Sequence, residues 1–317
     1  MALYLAIDAG GTKTRCVLAD ETRVLARGQT GTVKLMRVAE ADATSRLHAM
    51  LVEAAAAADV SLADVKRTCF GLAGSRSESV QQWARRAITE AGVGGQLAIC
   101  GDEEIALDAA FQDGPGILVI AGTGSNAIGR ATNGKLFGAG GWGPVLGDEG
   151  SGYWIGLEAT RAALRAQDET GGNTTAQELL HAIEQAFGVA SLGELIARGN
   201  LRVASNEASP PDFAGLVPTI VERAASGNAV ALDVLERAGE ELAGLVTLLV
   251  EKTRAAGANL ATTSTSIQVA FTGGVLAEIS LVRESFAAVL GAKIPGAKVR
   301  EPAVDPLVGA LWRARER

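Results

Sequence analysis

The sequence predicts an α/β protein of two domains with a cleft between them, and three observations carry that expectation. An apolar run, Leu3 to Ile7, ends in Asp8 and turns on Gly10 and Gly11 before Thr12, Lys13 and Thr14. The same design recurs further on, where Ile117 to Ala121 runs into Gly122, Thr123, Gly124 and Ser125. A chain of 317 residues also suffices for two domains, each of about 150 residues, burying roughly three quarters of the unfolded surface.

The elements follow in order. Strands are expected at roughly 3–8, 14–20 and 23–27, then a helix over about 38–58, where Leu47, Met50, Leu51 and Val52 supply an apolar face beside the helix-forming run Ala54 to Ala58. A strand (66–72), a helix (77–92), a strand (96–100) and a helix (103–111) then alternate. A second series opens near Pro115 with strands at 116–121, 125–130 and 135–138. Helices are expected at 152–166, 175–187, 191–198, 210–226 and 229–256, and then a strand (267–272), a helix (276–290), a strand (297–301) and a last helix (306–316). Segments 200–211 and 257–266 carry turn residues and polar runs and read as surface loops. The first domain is expected over 1–114 and the second over 115–304, the latter with a helical insertion. Paired domains of this pattern leave a cleft in which ligands bind.

Composition narrows the function classes. Hydrophobic residues make up 48% and charged residues 21%, as in a globular enzyme, and the net charge of −7 argues against a nucleic-acid surface. The N-terminus lacks a basic segment, and no run of apolar residues is long enough to span a membrane. Cys16, Cys69 and Cys100 form no C-x-x-C pair and lie in apolar runs, as expected of buried thiols in a cytoplasmic protein. With only His48 and His181 besides, a zinc or iron–sulfur site has little material.

The two glycine turns carry the chemistry. Glycine lets backbone N–H groups approach a ligand where a side chain would block them. Hydroxyls and a lysine suit phosphate oxygens, and an aspartate suits a hydrated magnesium ion. An ordinary hairpin is the alternative reading of either turn alone, and Lys13 then simply faces solvent. The spacing is not that of G-x-x-x-x-G-K-[ST], and no G-x-G-x-x-G runs from strand into helix, so neither a P-loop nor a dinucleotide site is expected.

Two such turns a domain apart resemble the sugar kinase, actin and heat-shock chaperone superfamily. Gly140-Gly141-Trp142-Gly143 and Gly147-Asp148-Glu149-Gly150-Ser151 are similar to segments of N-acetylglucosamine kinases. They are similar also to the broader BadF/BadG/BcrA/BcrD ATPase group, which unites those kinases with activating ATPases of benzoyl-CoA reductase. Gly71-Leu72-Ala73-Gly74, Gly101-Asp102, Phe271-Thr272-Gly273-Gly274-Val275 and Pro306-Leu307-Val308-Gly309-Ala310 extend the match in the expected order. The resemblance implies the two-domain actin-like ATPase (ribonuclease H-like) fold, with residues 305–317 packing back on the first domain, and ATP and Mg2+ as cofactors. It also implies a homodimer that takes a small sugar and neither nucleic acid nor membrane as partner.

By the same resemblance Asp102 is the catalytic base, and a helix cap is the alternative reading of an aspartate there. Gly10, Gly11, Thr12, Lys13 and Thr14, with Gly122, Thr123, Gly124 and Ser125, would hold phosphates. Asp8 would face the metal, and Gly273, Gly274 and Val275 the adenosine. Thr32, Asp102, Gly141, Trp142, Gly143 and Asp148 would contact the sugar, Trp142 through its ring face and Asp148 through paired hydroxyls. Trp142 can equally be core, and Glu149 can support the site or cap a helix. Glu103, Glu104 and Asp108 are expected to be solvated on their helix, and Gly138–Gly143 to be a hinge over the substrate.

One departure bears on the substrate. Amino-sugar kinases carry an asparagine after the third strand, whereas the stretch Gly28 to Arg37 contains none. Thr32 replaces only part of its bonding. Lys34 and Arg37 add positive charge there, either as a solvated pair or to meet an acceptor carboxylate such as that of N-acetylmuramic acid. The leading expectation is ATP-dependent phosphorylation of an N-acetylglucosamine-type sugar, with N-acetylmuramic acid or glucosamine as alternatives. An ATPase that activates a reductase or dehydratase is the alternative of another class.

Overall fold

A computed structural model describes residues 2–170, 174–199, 211–261 and 266–316. The expected surface loops thus lie partly, at 200–210 and 262–265, outside the described residues. The opening run forms β1 (Leu3–Ala9), which returns as β2 (Lys13–Ala19) and β3 (Val24–Gly31). Then come α1 (Glu40–Ala58), β4 (Val65–Leu72), α2 (Glu78–Glu90), β5 (Gln96–Cys100) and α3 (Asp102–Phe111). The second series begins with β6 (Gly116–Ala121), β7 (Ser125–Arg130) and β8 (Leu136–Gly140). It continues through α4 (Gly152–Thr170), α5 (Thr174–Phe187), α6 (Leu192–Gly199), α7 (Val217–Ala225) and α8 (Ala229–Ala255). It closes with β9 (Gln268–Thr272), α9 (Gly274–Glu278), α10 (Ser280–Lys293), β10 (Lys298–Val299) and α11 (Pro306–Glu316).

The strands form two five-stranded sheets of matching order, β3-β2-β1-β4-β5 and β8-β7-β6-β9-β10. In each, the central strand pairs antiparallel with its hairpin partner and parallel with a strand reached through a helical crossover: β1 with β2 and β4, β6 with β7 and β9. This is the doubled unit of the actin-like ATPase fold, as the resemblance implied.

Alternation along β1 explains its unbroken apolar sequence. Leu3, Leu5 and Ile7 face a core shared with α1 and α2, while Tyr4 and Ala6 face one shared with α11. A central strand covered on both faces has no polar side to offer. Each fully buried Leu or Ile contributes roughly 1.5–3 kcal/mol. The larger core lies between the second sheet and α4, α5, α7, α8 and α10.

Helix α3 sits between the two halves. Its Ile105 packs with Leu307 and Ala310 of α11, while Ala106 and Leu107 pack against Leu118, Ile128 and Ala270 of the second sheet. The approach of α11 is so close that a Cβ on Gly309 would lie 1.9 Å from the Ile105 carbonyl oxygen. This placement overturns the expectation that the acidic residues of α3 are solvated. The Asp108 side chain is fully buried, paired with Arg130 of β7 at 2.5 Å and with Arg313 of α11. Glu104 also meets Arg313, at 3.4 Å. An unpaired charge covered on two sides would be costly, and two arginines supply the partners.

Other differences are local. The third strand runs on to Gly31 because its pairing with β2 continues to Lys13. The expected strand at 297–301 shortens to Lys298–Val299, and Pro302 beyond it has no N–H for the ladder. The helix expected at 210–226 divides into a 3-10 turn, Phe213–Leu216, and α7, with Pro218 in the first turn, where its missing N–H is tolerated. The helix expected at 276–290 is two helices, broken at the extended residue Ile279. Among the described residues no helix is long and apolar enough to cross a membrane.

Candidate active site

The first glycine turn joins β1 to β2. Ala9 and Thr14 are paired across it, and the Gly10 N–H donates to the Lys13 carbonyl at 3.2 Å. Thr12 and Lys13 are exposed at its tip. The second turn joins β6 to β7, with Ala121 opposite Ser125 and the Gly122 N–H donating to Gly124 at 2.9 Å. The hydroxyls of Thr12 and Thr123, 111 residues apart in sequence, come within 3.4 Å. A Cβ at Gly11 or Gly122 would meet nothing within 4 Å, so both glycines front open space. Two facing turns with exposed hydroxyls, bare backbone and a lysine fit a chain of phosphates.

Gly273 lies behind the second turn. Its φ of 96° suits glycine, and a Cβ there would stand 2.3 Å from the Ala121 carbonyl oxygen. It caps α9, whose Gly274 follows directly. Val275, by contrast, is a core residue at 4% exposure, so its side chain is turned away from any adenosine.

Two of the expected phosphate hydroxyls are turned away from the open space. Thr14 is fully buried in the sheet, its hydroxyl without a hydrogen-bond partner. Ser125 is buried and donates to the Glu149 carbonyl at 2.7 Å, tethering the glycine-rich segment to the second turn. Thr32 departs from its expected sugar contact in the same way. Its hydroxyl donates to the Gly10 carbonyl at 3.0 Å and accepts from the Lys34 N–H at 3.1 Å. Arg37 donates to the Gly11 carbonyl at 2.9 Å and so braces the first turn. Packing around the sheets and loop bracing, neither visible in a motif, decide these four positions.

Asp102 is the first residue of α3, and Gly101 is the N-cap. Glu104 reaches back to the Gly101 N–H at 3.2 Å, so capping does not need Asp102. The carboxyl of Asp102 lies beside that of its neighbour Glu103, which in turn meets Arg76 at 3.5 Å. Burial first, then Glu103 and the charge of Asp8, push the Asp102 carboxyl up to about 7. A base poised near neutrality suits proton abstraction from a hydroxyl. Asp8, at the end of β1, is in register with Arg15 of β2 and pairs with it at 2.7 Å. Burial raises the Asp8 carboxyl, and the Arg15 contact opposes that rise.

The segment Gly140 to Gly150 lies beside the second turn. Asp148 has a φ of 59°, unusual for a residue with a side chain, and is 7% exposed. It accepts from the Gly143 N–H at 3.1 Å and packs so tightly on Gly124 that a Cβ there would lie 2.6 Å from its Oδ2. Burial raises its carboxyl, while the charge of Lys34 lowers it, so Lys34 lies within electrostatic reach. Trp142 is 74% exposed, which excludes the core reading. Val145, Leu146 and Met36 are similarly bare. Gly141 and Gly143 flank Trp142 with positive φ, and the Leu146 and Gly147 N–H groups turn back to the Gly143 carbonyl, so the segment is a tightly turned flap.

The donor set fits a nucleotide-borne magnesium ion. Mg2+ takes one or two carboxylates and completes its shell with phosphate and water. Asp8 supplies such a carboxylate, and among the described residues no cluster of three or more ligating side chains would make a stand-alone cage.

Residues 5–314 match the sequence profile of the BadF/BadG/BcrA/BcrD ATPase family. The chain belongs to this family. It is 27% identical over 316 residues to the N-acetylmuramic acid/N-acetylglucosamine kinase of Clostridium acetobutylicum, covering 99% of each chain. It is 26% identical over 322 residues to the N-acetyl-D-glucosamine kinase of Dictyostelium discoideum, covering 98% of this chain and 97% of the relative. A solved structure from Chromobacterium violaceum, assigned as an N-acetylglucosamine kinase, is 25% identical and superposes with a TM-score of 0.75 over 98% of both chains. A ROK family glucokinase from Streptomyces griseus, 18% identical with a TM-score of 0.56 over the whole of both chains, shares the fold.

In this ATPase, sequence reasoning missed Arg15, Glu103 and Asp305. Arg15 had a signal: two positions after Lys13 on a strand it shares that residue's face, hence the open side of the turn. Glu103 looked like an ordinary helix-surface carboxylate, and Asp305 is joined to Arg15 only by the tertiary fold, at 3.0 Å.

Proposed function

We propose that this chain transfers the γ-phosphoryl group of ATP to a hydroxyl of an N-acetylglucosamine-type amino sugar. The observation that carries the reading is the meeting of the two glycine turns at Thr12 and Thr123, with the acidic ends of β1 and α3 within electrostatic reach of each other. The similarity to two amino-sugar kinases over nearly the whole chain supports it. Backbone N–H groups of Gly11 and Gly124, with Thr12, Lys13 and Thr123, hold the phosphates, while Gly10 and Gly122, whose own N–H groups close the two turns, let them approach closely. Gly273 and Gly274 take the adenosine, and Asp8 faces magnesium. Asp102 accepts the hydroxyl proton as the sugar oxygen bonds to the γ-phosphorus and the bond to the departing ADP oxygen breaks. Gly141, Trp142, Gly143 and Asp148 enclose the sugar. Domains of 1–114 and 115–304, the first completed by 305–317, form the walls. Three buried free cysteines suit a reducing cytoplasm, and a homodimer belongs to the same reading. A panel of amino sugars assayed for the phosphorylated product tests it; ATP turnover with no phosphorylated sugar from any of them would overturn it.

An acidic acceptor is favoured by one further observation. The Lys34 N–H is held by the Thr32 hydroxyl, which itself bonds the Gly10 carbonyl, so Lys34 stands near the first turn and is read here as lying beside the sugar pocket. If Lys34 meets an acceptor carboxylate, Lys34→Ala should cut efficiency on N-acetylmuramic acid by roughly 10–150-fold, from a lost charge-assisted contact of about 1.5–3 kcal/mol. On N-acetylglucosamine the change should be small, and equal losses on both sugars would remove Lys34 from acceptor selection. The activator reading is disfavoured by the cysteines. Cys69 and Cys100 touch at 3.8 Å within the first sheet, and Cys16 is fully buried, so these thiols do not reach a cluster shared with a partner.

A further inference from the structure

Arg15 stands beside the phosphate turns, and the proposed reaction gives it no task. Its Nη2 alone serves two carboxylates, Asp8 Oδ2 at 2.7 Å and Asp305 Oδ1 at 3.0 Å. Its Nε is buried with no hydrogen-bond partner. A guanidinium presents a planar fork of donors, and its strong carboxylate contacts use two of them in parallel. Here one nitrogen is shared and another is left over, so neither carboxylate is held by the full fork. The two partners also differ in setting. The Asp8 side chain is 13% exposed on a central strand, whereas Asp305, just ahead of α11, is 40% exposed and has water as an alternative.

We propose that Arg15 is a placeholder cation, which neutralises Asp8 while nucleotide is absent and pairs with Asp305 alone once Asp8 turns to nucleotide-bound magnesium. The inference rests on the reading of Asp8 as the metal-facing carboxylate. A buried carboxylate without a counter-charge is costly, so an empty site needs a cation. A resident arginine provides one, and a two-pronged contact with Asp305 would give the stranded Nε an acceptor. Metal without nucleotide then has to displace the guanidinium, which makes nucleotide and metal bind together. Arg15 is in this sense a positioning residue, not a catalytic one.

Mn2+ serves as the probe, titrated by electron paramagnetic resonance into the full chain with and without a non-hydrolysable ATP analogue. Wild type should bind Mn2+ weakly alone and tightly with the analogue. Arg15→Gln should raise the nucleotide-free affinity about 10-fold, at the lower end for a lost charged contact because the site is partly exposed. Metal–nucleotide coupling should fall by the same factor, since linkage is reciprocal. Arg15→Lys, which keeps the charge, should keep the suppression. Asp305→Asn should act oppositely, leaving the nucleotide-free affinity low and weakening Mn2+ binding in the ternary complex. A merely structural ion pair predicts a lower melting temperature for Arg15→Gln with unchanged Mn2+ affinity, and that result would overturn the proposal. If Arg15→Gln does not fold, unchanged ternary affinity in Asp305→Asn overturns it instead. Absence of protein-bound Mn2+ even with the analogue would remove Asp8 as a metal ligand and this inference with it, while the sugar assay judges the kinase reading separately.

Discussion

In the first hairpin Ala9 and Thr14 close the turn, and the next pair along the ladder is Asp8 with Arg15. In the second, Ala121 and Ser125 close it, and the corresponding pair is Ile120 with Asn126. Backbone, hydroxyl and open space are repeated in both, because a glycine turn between two strands produces them anywhere. Ionic chemistry is not repeated. Asp8, Arg15, Lys13, Asp102 and Glu103 all belong to the first half, and among the described residues the second adds Asp148, folded against Gly124, with its neighbour Glu149. In the proposed reading the doubled fold therefore supplies a symmetric phosphate cradle, and charge on one wall gives it a direction. Phosphoryl transfer needs that asymmetry, since base and metal must act on opposite ends of one bond system.

The largest expected break in the comparison is at the base. Asp102→Asn should lower turnover by roughly 10²–10⁴-fold with ATP binding nearly intact; a variant keeping more than a tenth of wild-type turnover would sink the assignment. Next comes the paired position. Asp8→Asn should raise the Mg·ATP concentration for half-maximal rate by roughly 10–150-fold, as for a lost charged contact. Asn126→Ala, the polar member of the corresponding pair in the second hairpin and the counterpart of Arg15, should change the same value by less than about threefold. Equal losses at the two positions would erase the distinction drawn here.

The pH dependence is a finer test. Asp102 must be ionised to accept a proton, and its carboxyl sits at about 7. Efficiency should thus fall about tenfold per unit as pH drops below that value. Glu103→Gln removes one of the raising charges and should move the limb to lower pH; an unmoved limb would separate Glu103 from Asp102. The stability sign is the reverse of the activity sign. Because the folded-state value lies above the ordinary 3.8, stability from protonated Asp102 is full below 3.8 and is lost as pH rises through about 7. Asp102→Asn should therefore melt above the parent near neutral pH, by about 1–2 °C for each kcal/mol relieved. The smallest effect is spectroscopic. Trp142, now 74% exposed, should shift its emission to the blue on saturation with sugar, and Trp142→Phe should abolish the shift. An unchanged spectrum would mean that the flap does not close.

The sequence by itself determined what depends on neighbours along the chain. Strand–glycine–strand signals located both turns, because a buried apolar run ending in glycine has few local solutions. Alternation and helix periodicity located most elements to within a few residues, and the place of Asp102 between a strand end and a helix was legible, whereas its reading as the base came from the family resemblance. Only the tertiary structure decided which polar groups remained available. Thr14 looked equivalent to Thr12, but the packing around the first sheet buries it. Ser125 and Thr32 looked like ligand contacts, yet carbonyls of Glu149 and Gly10 claim their hydroxyls. Glu104 and Asp108 looked solvated until α11, some two hundred residues later, brought Arg313 against them. Asp305 reaches Arg15 by the same return of the chain. A charge's partner, and hence whether it is neutralised, buried or poised to react, is set by which distant segment arrives beside it, and no local pattern encodes that arrival.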